Sequence, residues 1–440
     1  MAIFHSITFK VLGIGFLALL MLIPLAQVQG LIGERNALRD GAIASIAASW
    51  GGRQRFGGPV LAIPKRVRVQ TSTGWITQES TEILLPDRLD IRGVLAPETR
   101  AYGIYTAPVY TSELKLSGEF LGDDLKALSG AETTYLWDHA ELRLPVSDVR
   151  GIRRVSALRF AGAQYNFGPG SADVGNVSTI TVSLDVFKLG LAEFKDKYPF
   201  ELEMTLAGTQ SLALLPLARR TEASLSAPWP DPSFDGAFLP ASRQVDAHGF
   251  EAHWQVLDLN RNFGQHWQQD AQRNQDVTAS AFGVALYQPA SVYQQNDRAG
   301  KYGVLFIALT FVAFFLFEVL KKLRVHPVQY LLVGVALTTF YVVLLALSEQ
   351  IGFAFAYLAA AAAVVLIVAG YAGAVLRARR AGLSLGALLA LVYALLYGLI
   401  VSEQYSLLMG ALALLAIVAA LMYLTRKVDW YAAVPAPALR

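Results

Sequence analysis

Residues 297–320 read DRAGKYGVLFIALTFVAFFLFEVL, and within this stretch the chain changes from charged to apolar. From Tyr302 to Leu320 the only charged residue is Glu318. About 20 consecutive apolar residues are enough for a helix to span a bilayer. The stretch therefore predicts the point at which a hydrated domain is followed by a membrane region.

The charged residues separate the chain into the same parts. Residues 31–301 carry 27 basic and 30 acidic side chains, residues 302–440 carry nine basic and four acidic ones, and residues 1–30 carry only Lys10. Charged residues make up 16% of the 440 residues, against about 25% in soluble domains. This composition excludes a disordered chain. Because the basic excess lies beside the apolar stretches, it also predicts no nucleic-acid partner.

Six apolar stretches predict membrane helices: 11–28, 302–320, 328–347, 353–376, 383–401 and 405–424. The first favours a retained helix over a cleaved signal peptide, because residues 24–27 offer no pair of small residues for cleavage. The predicted fold class is a membrane protein. It combines a six-helix α-helical transmembrane bundle with a large, mainly antiparallel β domain inserted between the first and second transmembrane helices.

Basic residues predict the orientation of these helices, because cytoplasmic loops are enriched in Lys and Arg. Basic clusters follow the second, fourth and sixth stretches, whereas the intervening short loops carry Glu349 and Glu403. Both termini are therefore predicted to be cytoplasmic in a multi-pass protein of the bacterial inner membrane. The predicted domains are residues 1–30 as cytoplasmic N-terminus and first transmembrane helix, residues 31–298 as a periplasmic β-rich domain, and residues 299–440 as a five-helix transmembrane region.

The periplasmic domain is predicted to be a two-layer antiparallel β structure. Four segments alternate between apolar and polar residues, as in strands with one buried face: 113–120, 179–186, 200–206 and 250–256. Weaker strands are expected at 60–70, 75–85, 101–110, 154–160, 221–226 and 280–287, and helix only at 34–48 and 123–129. The pattern leaves open whether this domain is one unit or two divided near residues 165–178.

Catalytic motifs are largely missing from the sequence. The absence of cysteine excludes disulfides, thiolate metal sites and cysteine nucleophiles. Residues 382–386 match G-x-S-x-G, but they open an apolar helix, whereas a nucleophile elbow needs a preceding strand. The sequence therefore predicts a protein that is not an enzyme and that uses no cofactor or metal. A hydrolase built on Asp231, Asp235 and His253 is the weaker alternative.

Three carboxylates are predicted at the rims of the membrane, because burying a charge in the hydrocarbon core costs about 2.5–3.5 kcal/mol. Glu318 precedes Lys321 and Lys322 by three and four residues, which favours an ion pair on one helix face. Glu349 and Glu403 occupy the opposite rim, where Arg298 and Lys301 are the expected partners. The alternative interpretation is that all three carboxylates line a path through the bundle.

Residues 228–240, PWPDPSFDGAFLP, form a proline-rich loop with aromatic side chains. A stiff backbone lowers the entropic cost of docking. Trp229, Asp231, Phe234 and Asp235 are therefore predicted to contact a periplasmic envelope protein, a lipid or a glycan. The alternative is a loop folded back on its own domain.

The sequence resembles the CreD family of inner-membrane cell envelope integrity proteins over nearly its whole length. The resemblance is densest at residues 58–64, 104–106, 147–152, 228–240, 249–254, 297–318, 326–334 and 429–431. It implies a bacterial inner-membrane protein that is induced through a two-component sensor system and is linked to envelope integrity and to responses to wall-active agents. It implies no reaction and offers no catalytic residues.

Two functions are therefore expected. The first is an envelope integrity and stress-response protein in which the bilayer holds the helices and the periplasmic domain binds a partner. The second is a transporter or lipid-handling protein that uses a path through the helix bundle.

Overall fold

A computed structural model describes residues 7–71, 74–128, 133–170, 172–184, 195–287, 292–321, 325–375, 379–402 and 405–426. These residues form two compact units. The helical unit consists of the residues up to 39 together with those from 290 onward, and the β unit lies between residues 40 and 289.

Helices make up nearly all of the described part of the helical unit, and two short ones lie in the β unit. They are α1 (Ile7–Leu20), α2 (Leu22–Trp50), α3 (Gly122–Ala127), α4 (Ala271–Ala279), α5 (Val292–Lys321), α6 (Pro327–Ile351), α7 (Phe353–Val375), α8 (Arg379–Val401) and α9 (Ser406–Thr425). In the part of the chain that is described, five helical stretches are long and apolar enough to cross a membrane: residues 10–50, 292–319, 327–351, 353–375 and 382–401. A shorter apolar stretch, 408–420, lies within α9, so a sixth span remains a prediction.

The first membrane helix is longer than the sequence predicted. Only Met21 separates α1 from α2, and Pro24, which has no N–H, cannot donate to the carbonyl of Leu20 four residues earlier. The helix expected at residues 34–48 is confirmed, although it is not a separate element. It is the continuation of α2 to Trp50.

The strands all fall between α2 and α5 in chain order. They are β1 (Gln54–Gly57), β2 (Val60–Thr71), β3 (Gly74–Leu84), β4 (Arg88–Tyr102), β5 (Tyr105–Leu121), β6 (Thr133–Tyr135), β7 (Glu141–Pro145), β8 (Ile152–Val155), β9 (Leu158–Phe160), β10 (Ala163–Tyr165), β11 (Gly168–Pro169), β12 (Thr179–Ser183), β13 (Lys197–Thr209), β14 (Ser211–Leu215), β15 (Arg220–Ala227), β16 (Pro232–Gly236), β17 (Ser242–Asp246), β18 (Gly249–Leu257), β19 (His266–Gln268) and β20 (Phe282–Leu286).

These strands form three sheets. A nine-stranded sheet has the order β10-β9-β13-β5-β4-β15-β18-β17, with β8 also paired to β13. A seven-stranded sheet has the order β11-β12-β7-β2-β3-β19, with β6 also paired to β2, and a four-stranded sheet has the order β1-β14-β20-β16. The mainly antiparallel domain is confirmed. Two parallel pairs, β1 with β14 and β4 with β15, are the exceptions among the described strands.

The strand predicted at residues 101–110 is confirmed for residues 105–110, which belong to β5, but the chain reverses at residues 103–104. Tyr102 pairs with Tyr105 across a hairpin, and Gly103 adopts a φ of +63°. Glycine reaches this left-handed conformation without the steric cost of a Cβ atom, as tight hairpin turns require. The flanking strands β4 and β5 then pair over residues 88–102 and 105–121.

One large core unites the β unit. Its buried side chains come from all three sheets, including Ile63, Leu144, Leu202, Trp254 and Val284. Residues on both sides of 165–178, such as Phe160 and Val182, belong to the same core. The β unit is thus a single folded body, and this resolves the alternative that the sequence left open.

Candidate functional site

A polar trough of about 550 Å³ crosses the four-stranded sheet. Its lining includes the side chains of Arg53, Arg55, Ser211, Ala213, Asp235 and Thr278. A volume in this range is typical of small-molecule sites. The trough brings a predicted contact residue, Asp235, together with two arginines that sequence analysis did not select.

Strand register places the charges of this trough at opposite edges. Arg55 pairs with Ala213, Ala213 with Gly283, and Gly283 with Asp235, so the four residues form one row across the sheet. Directly paired residues point to the same face. With neighbouring strands about 4.8 Å apart, the row spans roughly 14 Å between its ends. Small residues in the middle leave an open floor between a basic and an acidic edge.

The charged side chains of the trough have few described partners within the protein. Arg53 Nε donates to Gln210 Oε1 at 3.0 Å, which orients its guanidinium. Among the described residues, no hydrogen bond or ion pair engages the guanidinium of Arg55 or the carboxylate of Asp235. The trough therefore has a cationic edge with spare donors and an anionic edge with a spare acceptor.

A rigid buttress, formed by Gln54 and residues 147–151, holds the backbone that carries the two arginines. The buried Gln54 amide donates to the carbonyls of Asp148 and Ala207 at 3.0 and 2.9 Å. Ser147 and Arg55 exchange two further bonds, because the N–H of Arg55 donates to Ser147 Oγ at 2.8 Å and the N–H of Ser147 donates to the Arg55 carbonyl at 2.9 Å.

Asp148 and Gly151 complete this buttress. Both Asp148 oxygens accept from the Arg150 guanidinium at 2.9 Å, and Oδ2 also accepts the N–H of Gly52 at 2.9 Å. The hydrogen bond from Arg150 holds the pKa of the Asp148 carboxyl below its usual value. A Cβ atom on Gly151 would lie 2.3 Å from both Gln54 Nε2 and the Ala207 carbonyl, so only glycine fits.

The loop 228–240 packs inward through its aromatic rings. Trp229 Nε1 donates to the Tyr287 carbonyl at 3.0 Å, and the ring of Phe234 meets Phe250 and Trp254 edge-on. Both rings are half-buried against the large core, whereas Asp231 and Asp235 are exposed. This geometry favours an anchoring role for the two rings. Partner contact at this loop stays a prediction, carried by the exposed carboxylates.

The acid–base set of the hydrolase alternative is divided between two sheets. Asp235 lies in β16 of the four-stranded sheet, whereas His253 lies in β18 of the nine-stranded sheet. His253 Nδ1 is 3.1 Å from Ser224 Oγ on the neighbouring strand. In the residues that the structure describes, no group of three or more His, Asp or Glu side chains could hold a metal ion.

One polar cluster, consisting of Lys65, Glu82 and His266, was missed by sequence reasoning. Lys65 Nζ contacts Glu82 Oε2 at 2.6 Å, and His266 Nδ1 contacts Glu82 Oε1 at 2.8 Å. Glu82 is buried. The partial burial of Tyr135 raises the pKa of its hydroxyl, and the nearby charge of Glu82 raises it further. His266 reaches Glu82 only because β19 pairs with β3, and neither residue carries a sequence signal for that pairing.

Glu318 of α5 contacts α1, α6 and the segment that precedes α6 at one end of the helical unit. Its buried carboxylate accepts from Lys10 of α1, from Tyr330 of α6 at 2.9 Å and from the backbone N–H of Val325 at 2.9 Å. Lys10 Nζ also donates to the Val325 carbonyl at 3.1 Å. Lys10 of α1 is therefore a described partner of Glu318, whereas the predicted partner Lys322 and the side chain of Lys321 lie outside what the structure describes.

Glu349 forms a corresponding contact at the other end of α6. Its Oε1 accepts from Tyr293 at 3.0 Å and lies 3.8 Å from Arg35 Nε. Lys301, one of the two expected partners, pairs with Asp297 at 2.7 Å. Glu403 lies outside the described residues.

An apolar groove of about 820 Å³ lies between α5, α8 and α9. It is lined mainly by leucine, with Phe306, Ala413 and Ile417 among the other residues. Neither Glu318 nor Glu349 borders it. These two carboxylates are therefore separate from this apolar groove.

Comparison with known proteins decides the family. A sequence profile described as "Inner membrane protein CreD" matches residues 6–431. The chain belongs to the CreD family. A curated relative, "Inner membrane protein CreD" of Escherichia coli strain K12, is 35% identical over 418 residues, covering 94% of this chain and 91% of the relative. A multi-pass protein of the bacterial inner membrane is thereby confirmed.

Solved structures similar to this CreD chain include native leukotriene A4 hydrolase of Saccharomyces cerevisiae and the yeast enzyme with bestatin. Their TM-scores are 0.23 and 0.20, at 12% and 10% identity. The matches cover 48% and 52% of this chain and 30% and 35% of those chains. Scores this low carry no argument about fold or function.

Several of the stretches that resemble CreD proteins surround the trough. Residues 147–152 include the part of the buttress that contacts Gln54 of β1. Residues 228–240 include β16 with Asp235. Residues 249–254 lie in β18, whose Trp254 packs against Phe234. This part of the CreD chain therefore combines a preformed scaffold with free charged groups.

Proposed function

We propose that this chain supports cell envelope integrity from the inner membrane without catalysing a reaction, and that its β unit faces the periplasm and binds an envelope component. The observation that carries the proposal is the trough, because Arg55 and Asp235 present free charges on a rigid sheet. Preorganised groups of this kind favour binding, since little conformational entropy is lost on docking.

The orientation in this proposal has six membrane helices and both termini in the cytoplasm. Two contacts support it. Lys10 meets Glu318 and Val325 at one end of the helical unit, and Arg35 meets Glu349 at the other. If consecutive helices alternate in direction, the end that holds Lys10 also holds the basic residues Arg379 and Arg380 at the start of α8 and Arg426 after α9. Basic residues are enriched on the cytoplasmic side.

Complementation tests the binding role. In a strain lacking the gene, chains with Arg55→Glu or Asp235→Lys should reach wild-type membrane levels but fail to restore resistance to detergent and to wall-active agents. Arg92→Glu is the matched control, because Arg92 is an exposed strand arginine of the nine-stranded sheet whose described partner is its near neighbour Asp90, at 3.3 Å. Full rescue by both trough variants would refute the proposal.

Photo-crosslinking identifies what occupies the trough. A photoreactive residue in place of Ser211, on the trough floor, should capture an envelope protein, lipid or glycan in intact cells. The same residue in place of Val94, exposed on the nine-stranded sheet, should not capture it. Mass spectrometry of the adduct distinguishes the three classes, and identical adducts from both positions would argue against a specific site.

Lipid handling is the second candidate function, and the apolar groove between α5, α8 and α9 favours it. Ala413→Trp should fill the groove and reduce the amount of lipid that copurifies with the protein. Ala419→Trp is the control, since Ala419 lies on α9 outside the groove lining. Equal lipid content in both variants, measured by native mass spectrometry, would count against this function.

A further inference from the structure

The trough has two electrostatic poles, and each is built from more than one group. Arg53, which directly precedes β1, and Arg55 within β1 both line this edge of the trough. Guanidinium groups donate in a fixed fork that matches carboxylate and phosphate oxygens. The edge formed by β1 is therefore suited to a single oxyanion.

The opposite pole is anionic. Asp235 supplies a free carboxylate, and the last turn of α4 contributes Thr278 and Ala279 to the same lining. The Ala281 carbonyl, two residues beyond α4, accepts the N–H of Ala237 at 2.8 Å, which holds this helix end against the β16 segment. Helix C-termini carry partial negative charge, so the pole favours a cation.

Small residues form the floor between the two poles. Ala213 and Gly283 occupy the middle of the row, and a Cβ atom on Gly283 would lie 2.2 Å from the Leu212 carbonyl. The absence of large side chains leaves a straight passage between Arg55 and Asp235. A ligand that reaches both poles must therefore be elongated and must carry opposite charges at its two ends.

Resting on the proposed function, we infer that the trough binds a zwitterion, with a carboxylate or phosphate held by Arg53 and Arg55 and a primary ammonium held by Asp235. Short peptides with free termini and phosphoethanolamine headgroups share this chemistry. Neither end needs a metal or a covalent step. Both sources are elongated molecules whose charged ends are separated by neutral atoms.

The test uses the full-length protein in detergent and soluble probes. Trialanine with free termini, its C-terminal amide, its N-acetyl form and glycerophosphoethanolamine are titrated by saturation-transfer NMR to about 10 mM. Blocking either terminus should weaken trialanine at least about tenfold, the cost of losing one charge-assisted contact. Arg55→Gln should abolish the effect of amidation, and Asp235→Asn should abolish the effect of acetylation.

These two variants should fold normally, because each replaces an exposed side chain without a described partner, and unchanged melting temperatures verify it. Probe binding that both variants weaken supports the inference, and the tighter probe identifies the source as peptide or lipid headgroup. Inorganic phosphate binding as tightly as the zwitterions would reduce the trough to an anion site and overturn the inference. The absence of saturable binding by every probe would also overturn the inference. The proposed function would still stand in that case if the trough variants failed to complement the strain that lacks the gene.

Discussion

At the scale of single residues, Glu318 is a charge whose burial depends on three donors. Two of them, Lys10 and Tyr330, lie on other helices, and the third is the backbone N–H of Val325. Removing one member of such a pair leaves an uncompensated group in an apolar setting, which costs more than the pair itself contributes. The contact therefore makes the packing of the first helix sensitive to a single carboxylate.

We expect Lys10→Met to destabilise the helical unit by about 3 kcal/mol, since breaking a buried pair costs about 3–5 kcal/mol and the Lys10 side chain is partly exposed. The double variant Lys10→Met with Glu318→Gln should recover much of this loss, because no unpaired charge remains. Thermal unfolding in detergent measures both. Asp297→Asn, which breaks an exposed pair with Lys301, is the control and should cost at most about 1 kcal/mol. A double variant less stable than either single one would contradict the assignment.

Asp148 predicts a pH dependence for the β unit. Arg150 lowers the pKa of its carboxyl relative to the unfolded value of about 3.9, so the stabilisation is complete above that pH and is lost as the pH falls through the folded pKa. Asp148→Asn should therefore lower the free energy of unfolding by about 1.5–3 kcal/mol at pH 7. The difference from the wild type should narrow below about pH 4.

Denaturant unfolding followed by tryptophan fluorescence at pH 7, 5 and 3 measures this dependence. Asp123→Asn is the control, since Asp123 is exposed and its described partner is Lys126 of its own short helix. We expect that control to stay within about 0.5 kcal/mol of the wild type at pH 7. A constant difference for Asp148→Asn at every pH would show that its carboxylate does not act through its charge.

At the scale of elements, glycines decide how closely particular helices approach. A Cβ atom on Gly334 of α6 would lie 2.7 Å from Met21 Sδ and 3.0 Å from the Phe311 ring, whereas Gly370 of α7 faces open space. Gly382 of α8 packs against Gly373 of α7, where an added Cβ would lie 2.7 Å from the Gly373 Cα. The G-x-S-x-G match at residues 382–386 thus lies within α8 as a helix contact.

Gly334→Leu should destabilise the helical unit by about 1–3 kcal/mol, because the new side chain overpacks the contact of α6 with Met21 and Phe311. Gly370→Leu enlarges a helical glycine by the same amount where nothing opposes it, so its stability should equal or exceed that of the wild type. Thermal melts of the two variants in one detergent make the comparison. Equal losses would show that helix propensity, and not close approach, governs these positions.

At the scale of the whole molecule, orientation is the property on which the proposed function depends. A cytoplasmic reporter fused after Arg440 should be active, and a periplasmic one inactive. Changing Arg377, Arg379 and Arg380 to Glu removes the basic loop and should disturb insertion of the two adjacent spans. Protease accessibility from each side of the membrane measures the effect. A periplasmic C-terminus would overturn the proposed orientation.

Much of this organisation follows from local sequence. Long apolar stretches predicted helices α5 to α8, and strict alternation predicted β13 and β18, because each signal needs only neighbouring residues. Hairpin β4–β5 was misread, since a glycine at positive φ is not visible in an alternating pattern. The extension of the first membrane helix into α2 was also missed, because its polar second half resembles a separate surface helix.

The sequence by itself determined that this is a membrane protein with a hydrated β domain, because hydrophobic burial and strand alternation are properties of consecutive residues. Only the tertiary structure decided where the charged groups meet. Arg55 and Asp235 are 180 positions apart and share a trough solely because β1, β14, β20 and β16 pair in that order. Lys10 and Glu318 meet for the same reason, since contacts between distant segments are set by packing and not by any local pattern.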